Sequence, residues 1–225
     1  MTPTTVSVVM PVFNTERFVR QALQSVFSQQ ENPALLEVIV VDDGSTDRSR
    51  DIVREFGDRV TLLEQDHGGI GAARNRGVAA ATGEFLAFLD ADDIWGLAKL
   101  ALQIPVLSAA AAPDIVTGMI EQFRDGPDGA RRRVGDLAPG LLAGALLMRR
   151  TTFDRVGLFA TDVRAGEFID WYARATDMGL TCRVLDEVVL FRRLHDANTA
   201  RTSGDNNQDV VSVVRAAMLR RRANG

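Results

Sequence analysis

Residues 88–93 read FLDADD and place three carboxylates, Asp90, Asp92 and Asp93, directly behind the apolar run of residues 85–89. Two carboxylates about 4 Å apart repel by about 4 kcal/mol at an effective dielectric of about 20. A fold keeps such a cluster when the charges are solvated, paired or bridged by a cation. If a strand continues through them, Asp90 and Asp92 point the same way. They then form a seat for a hard divalent cation that keeps waters and recruits phosphate oxygens, a metal–diphosphate site. The plain alternative is an acid-rich helix N-terminus. An EF-hand is excluded, because its later Gly and Glu positions are missing.

A second acidic pair, Asp42 and Asp43, closes the run EVIVV at residues 37–41. One of the two suits hydrogen bonds from a nucleobase or ribose, and the other suits the cap of the following turn. Residues 68–77, GGIGAARNRG, resemble a dinucleotide loop only in part, since Arg74 stands where a third glycine belongs. They fit better as a backbone loop opening a helix, with Arg74 reaching an anion; solvent-facing arginines are the alternative. Glu167 and Asp170 lie three apart on one helical face, so either can serve as a general base, or both belong to a solvated face. His195 is a candidate metal or phosphate contact, His67 reads as loop, and Trp95 and Trp171 read as packing residues.

These residues need elements to carry them. Residues 6–12 form a continuous apolar run, as a buried parallel strand does. Asn14 is placed to cap a helix whose apolar residues Phe18, Val19, Ala22, Leu23, Val26 and Phe27 keep three-to-four spacing. Strands follow at 37–43, 60–64 and 84–90. Between them come a helix carrying Ile52, Val53 and Phe56, capped by Ser45 or Thr46, and an Ala-rich helix stopped by Gly83. Strands joined by helical crossovers imply a mostly parallel sheet covered on both faces, with ligands beyond the carboxyl ends of the strands. Asn14, Asp42, Asp43, the 68–71 glycines and the 90–93 acids all fall there. Later strands are expected at 114–123, 130–137, 145–150 and 187–195, with helices at 167–179 and 209–222. Gly179 ends the first of those helices.

The 225 residues are 46% hydrophobic and 25% charged with net charge −4, which suits a globular α/β chain rather than a nucleic-acid binder. The clusters at 131–133 and 220–222 are local; they read as solvated arginines or as a site for an anionic acceptor or membrane surface. The single cysteine, Cys182, excludes an internal disulfide and fits a reducing compartment. No secretory leader is apparent, and the run at 140–148 is too short to span a bilayer. The expectation is a cytoplasmic protein without a membrane span.

Taken in order, VSVVMPVFN, EVIVVDDGSTD, GGIGAARNRG, AAATGEFLAFLDADDIW, VGLF and the late RRLHDAN resemble the family 2 glycosyltransferases of the GT-A fold. That resemblance implies a Rossmann-like sandwich: a mostly parallel central sheet with helices on both faces and a smaller mixed acceptor-side sheet. It implies one domain over 1–225, with a nucleotide-sugar half at 1–95 and an acceptor half at 96–225. Pro11, Phe13 and Asp43 would hold the uracil or ribose of a nucleotide-sugar donor, and Asn14, Asp42 and Arg74 join them at the same strand ends. Asp90 and Asp92 match the DXD motif. Asp92 would be the main ligand of Mn²⁺ or Mg²⁺, with Asp90 or Asp93 contacting ribose, sugar or metal-bound water and His195 approaching the metal or diphosphate. The family's base lies in a Glu-Asp pair, but Phe168 follows Glu167 here. Asp170 becomes the first choice of base and Glu167 the second. The implied reaction is inverting transfer to an acceptor that is a glycan, lipid-linked glycan, peptide or small metabolite; a second copy of the chain, in a homodimer, is a further candidate partner. Two alternatives are a nucleotide-sugar-binding protein without catalysis and a nucleotidyltransferase. The latter is disfavoured because FNTERF, at 13–18, replaces the basic glycine-rich loop it requires.

Overall fold

The structure, a computed structural model, describes residues 4–29, 34–163 and 165–195. The helix expected at 209–222 and the arginines at 220–222 lie outside them.

Strand β1 (Thr5–Val12) is buried over almost its whole length, which its unbroken apolar sequence dictates. Helix α1 (Val19–Phe27) turns Val19, Ala22, Leu23 and Val26 inward. Strand β2 (Leu35–Asp42), short helix α2 (Ser49–Arg54), strand β3 (Thr61–Glu64), helix α3 (Ile70–Ala80) and strand β4 (Phe85–Phe88) follow. β1 pairs in parallel with both β2 and β4, and β2 with β3. The chain therefore walks outward from β1 to β3 and then returns to the other side of β1. The crevice between the carboxyl ends of β1 and β4 is the topological switch point, where open α/β sheets bind ligands.

The later strands extend the same sheet. These are β5 (Ile94–Trp95), β6 (Ile115–Asp125), β7 (Arg131–Arg133), β8 (Ala138–Pro139), β9 (Leu147–Arg149) and β10 (Cys182–Arg193). β9 runs antiparallel between β4 and β6 and fuses the two sets, giving the order β3-β2-β1-β4-β9-β6-β10-β5, with β7 and β8 on β6. Helices α4 (Lys99–Leu107), α5 (Arg150–Val156) and α6 (Glu167–Asp177) complete the described chain. Among the described residues no helix is long and apolar enough to cross a membrane.

Several local expectations are corrected. Asn14 sits at φ 50° and does not cap α1; its Oδ1 accepts from the Thr46 and Asp47 amides at 2.8 and 3.4 Å. Neither Ser45 nor Thr46 caps α2, whose start is instead held by Asp47 Oδ1 on the Ser49 amide at 2.9 Å. Gly83 does not stop α3, which ends three residues earlier; it is glycine because a Cβ there would strike Ser7. Gly179 does close α6. At φ 74° it donates to the Thr176 carbonyl while Leu180 donates to that of Ala175, the paired bonds of a Schellman ending. Helices α4 and α5, and the start of β10 at Cys182, have no counterpart among the sequence expectations.

Candidate functional site

A cleft of about 1470 Å³ opens at the switch point. On its β1–β2 side, Phe13 and His67 stack with ring centroids 4.1 Å apart. Asp43 fixes the loop beneath them. Its Oδ1 accepts from the Gly68 amide at 2.8 Å and the Gln65 amide group at 2.7 Å, its Oδ2 accepts from the Gly69 amide at 2.9 Å, and His67 Nδ1 lies 2.9 Å from Oδ2. Pro11, Phe13, Asn14 and Asp43 all line the cleft. Asp42 does not: it is buried on the other side, taking the Ser45 amide at 3.1 Å, so of the two neighbours it is the turn cap.

The acids at 90–93 follow β4 instead of continuing it. The Asp93 amide donates to the Asp90 carbonyl at 3.0 Å, a turn, so strand alternation does not set their directions. Partners do. Asp90 accepts from Arg74 Nη2 at 2.6 Å, and Asp92 Oδ2 faces His195 Nε2 at 2.9 Å. Asp93 is buried and accepts the Arg193 amide at 2.8 Å, which ties the turn to β10. Burial and the neighbouring Asp92 and Asp90 charges push the Asp93 carboxyl well above its usual range. Burial also raises Asp90; Arg74 pulls it back and Asp92 adds to the rise.

Arg74 is 2% exposed and faces the cleft, not solvent. Its Nη1 pairs with Glu167, the first residue of α6, while Nη2 holds Asp90. Burial works against the Arg74 cation, yet Asp90 and Glu167 outweigh it and raise its pKa further. The glycines on either side of it serve packing: a Cβ on Gly71 would strike the Ala160 carbonyl, and one on Gly77 would strike Val9. Two buried polar atoms of cleft residues, Arg74 Nε and Thr15 Oγ1, have no hydrogen-bond partner.

The helix that carries the candidate bases separates them. Glu167 lines the cleft. Asp170 does not; Arg174, one turn on, holds it at 2.9 Å and is itself anchored to the Val156 and Leu158 carbonyls. In the structure Asp170 turns to Arg174, while Phe168 lines the cleft beside Glu167. His67, read as loop, is a wall residue; nothing in its local sequence signalled the stack on Phe13. Among the described residues no group of three or more His, Cys, Asp and Glu side chains converges as a metal cage.

Residues 7–161 match glycosyl transferase family 2. An uncharacterised glycosyltransferase of Nostoc sp. is 29% identical over 236 residues, covering 92% of this chain and 70% of that protein. Staphylococcus aureus TarS 1–349 in complex with UDP-GlcNAc shares the fold with a TM-score of 0.76 at 21% identity, over 96% of this chain and 66% of that one. The mannosyltransferase PcManGT of Pyrobaculum calidifontis, in complex with GDP-Man and Mn²⁺, gives 0.72 at 21% identity, over 95% and 64%. The chain thus spans about two thirds of the length of these three proteins.

Proposed function

Because the chain belongs to glycosyl transferase family 2, we propose that it is an inverting glycosyltransferase that takes its sugar from a nucleotide-sugar, UDP-linked for preference. The observation that carries this reading is the cleft at the β1–β4 switch point. A stacked aromatic wall lies on one side of it, and Asp92 with His195 and Asp90 with Arg74 lie at the turn after β4. The UDP-GlcNAc held by TarS supports the donor class.

The nucleoside belongs against Phe13 and the loop fixed by Asp43, in the half up to residue 95. Its diphosphate then reaches the acid turn. Asp92 and His195 offer an oxygen and a nitrogen 2.9 Å apart on the open wall, and Asp90 holds Arg74 through Oδ1 alone, a donor set that fits Mn²⁺ or Mg²⁺. When bound, such an ion supplies charge neutralisation to the departing diphosphate; the Mn²⁺ in the PcManGT complex supports this. Glu167 stands across from these groups and takes the proton of the acceptor nucleophile as it attacks the anomeric carbon. The diphosphate leaves from the opposite face of the sugar. Arg74, gripping both Glu167 and Asp90, fixes the spacing between the proton-accepting and leaving-group sides.

The test is a panel of nucleotide-sugars with and without Mn²⁺, followed by thermal melting and by assay of released nucleoside diphosphate. A matching donor at 100 times its dissociation constant stabilises the fold by about 2.7 kcal/mol. The reading is overturned if no donor stabilises the protein with the ion present, or if bound donor never yields nucleoside diphosphate with any acceptor class offered.

A further inference from the structure

Besides Arg17, ahead of α1, two arginines line the cleft without an ion pair among the described residues. Arg124 is near the end of β6 and Arg192 near the end of β10. Strand register fixes their faces. Arg192 stands opposite Gln122 in the parallel β6–β10 ladder, and Arg124 lies two residues beyond Gln122. Residues directly opposite, and residues two apart on one strand, share a face. Arg132 of β7 stands opposite Arg124 in the antiparallel ladder and joins the same face.

Among the described residues the Arg124 side chain makes one hydrogen bond, at 3.5 Å to the Leu194 carbonyl. Arg132 reaches Asp128 at 3.6 Å with both side chains exposed, a contact of little strength. Among the described residues Arg192 has no ion pair. The neighbouring arginines of the cleft region differ: Arg74 holds Asp90 and Glu167, and Arg193 holds Asp125. A chain of net charge −4 has gathered three cations of one sign on this wall. Like charges repel across such distances, so the arrangement favours an anion that completes it.

We propose that this wall binds a phosphate carried by the sugar acceptor, with Arg124 and Arg192 gripping it and Arg132 adding charge at the rim. The guanidinium fork matches phosphate oxygens two at a time, and a phosphate has oxygens enough for more than one arginine. Position separates this anion from the donor's nucleoside. β6 and β10 lie on the far side of β4 and β9 from the β1–β2 corner where the nucleoside belongs. Only the word acceptor rests on the function proposed above; the anion site itself does not.

The experiment titrates the metal-free protein with two matched pairs, glucose against glucose 1-phosphate and octyl glucoside against octyl phosphate below its micelle concentration. The Arg124→Gln/Arg192→Gln double variant is titrated alongside, and UDP with Mn²⁺ is the donor control. The phosphate member binds the wild type, weakens in high salt, and loses about tenfold or more in affinity in the double variant, while UDP keeps its affinity. Binding of octyl phosphate alone assigns a lipid-linked acceptor, and binding of glucose 1-phosphate a water-soluble one; both support the site. Equal binding of phosphate and neutral probes overturns it. So does a double variant that weakens UDP instead, since the arginines would then serve the donor. If the phosphate probes bind and UDP does not, the donor reading fails and the anion site stands.

Discussion

Before Asp90 the chain builds four parallel strands that end at the cleft; after it, strands run both ways and buried polar side chains hold them. In the first part the packing is apolar and close. α3 lies so near the sheet that Gly77 has no room for a methyl group against Val9. In the second part the cleft wall around Leu141–Ala143 is backed by a 3₁₀ turn (Ala143–Ala145) whose carbonyls point inward. Lys99, wholly buried in α4, donates to Gln103 at 2.7 Å and to the Ala145 and Leu146 carbonyls at 2.9 and 3.2 Å. Gln103 and the Trp95 indole bind the Ala145 and Gly144 carbonyls at 2.9 and 3.0 Å. Regular ladders satisfy their own backbone; an irregular wall needs side chains to do it, because an unpaired buried carbonyl is costly. The first part is thus held by repetition, and the second by a few specific polar residues.

That contrast can be sharpened or broken by substitution. The largest effect belongs to the one carboxylate of α6 that faces the cleft. Glu167→Gln lowers kcat by about 10² to 10⁴ while donor affinity is kept, as loss of a general base does; steady-state kinetics with the best donor decide it. In the second part, Lys99→Met strands the Leu146 carbonyl and costs about 1–3 kcal/mol in urea unfolding. Lys99 also carries a pH signature. Burial holds its pKa well below 10.5, with no carboxylate near to offset it. Between that depressed value and 10.5 the unfolded chain binds the extra proton, so rising pH favours the fold. The wild type therefore gains stability over Lys99→Met as pH climbs through this window, and unfolding midpoints measured across it would show parallel curves if Lys99 did not titrate there. In the first part, Gly77→Ala overpacks the α3–β1 contact and costs about 1–3 kcal/mol by the same measurement, with no new pH dependence. The smallest effect is Asp170→Asn. It removes an ion pair with Arg174 worth about 1 kcal/mol or less and leaves turnover nearly intact. A loss there larger than that of Glu167→Gln would reverse the assignment of the two carboxylates.

The same division governs what the sequence disclosed. The first four strands and α1 were legible because an apolar run flanked by three-to-four spacing admits few other structures, and their order alone located the crevice. The acids of the site were legible as types and positions, but their directions were not. Asp90 and Asp92 sit in a turn, where partners such as Arg74 and His195 set orientation. Helical spacing brought Glu167 and Asp170 within one turn of each other. Which one faces the cleft depends on Arg174 and the carbonyls that anchor it, contacts from distant sequence. Lys99 reads locally as an ordinary surface lysine in GLAKLALQ; only Gln103 four residues later, in an otherwise apolar stretch, hinted at a buried pair.

The central claim is that the turn after β4 receives an ion and a nucleotide diphosphate together. Calorimetric titration of a UDP-sugar into wild-type protein and Asp92→Asn, each with and without Mn²⁺, tests it most directly. The account predicts ion-dependent binding in the wild type that weakens about tenfold or more in the variant. Equal affinity in all four titrations would contradict it.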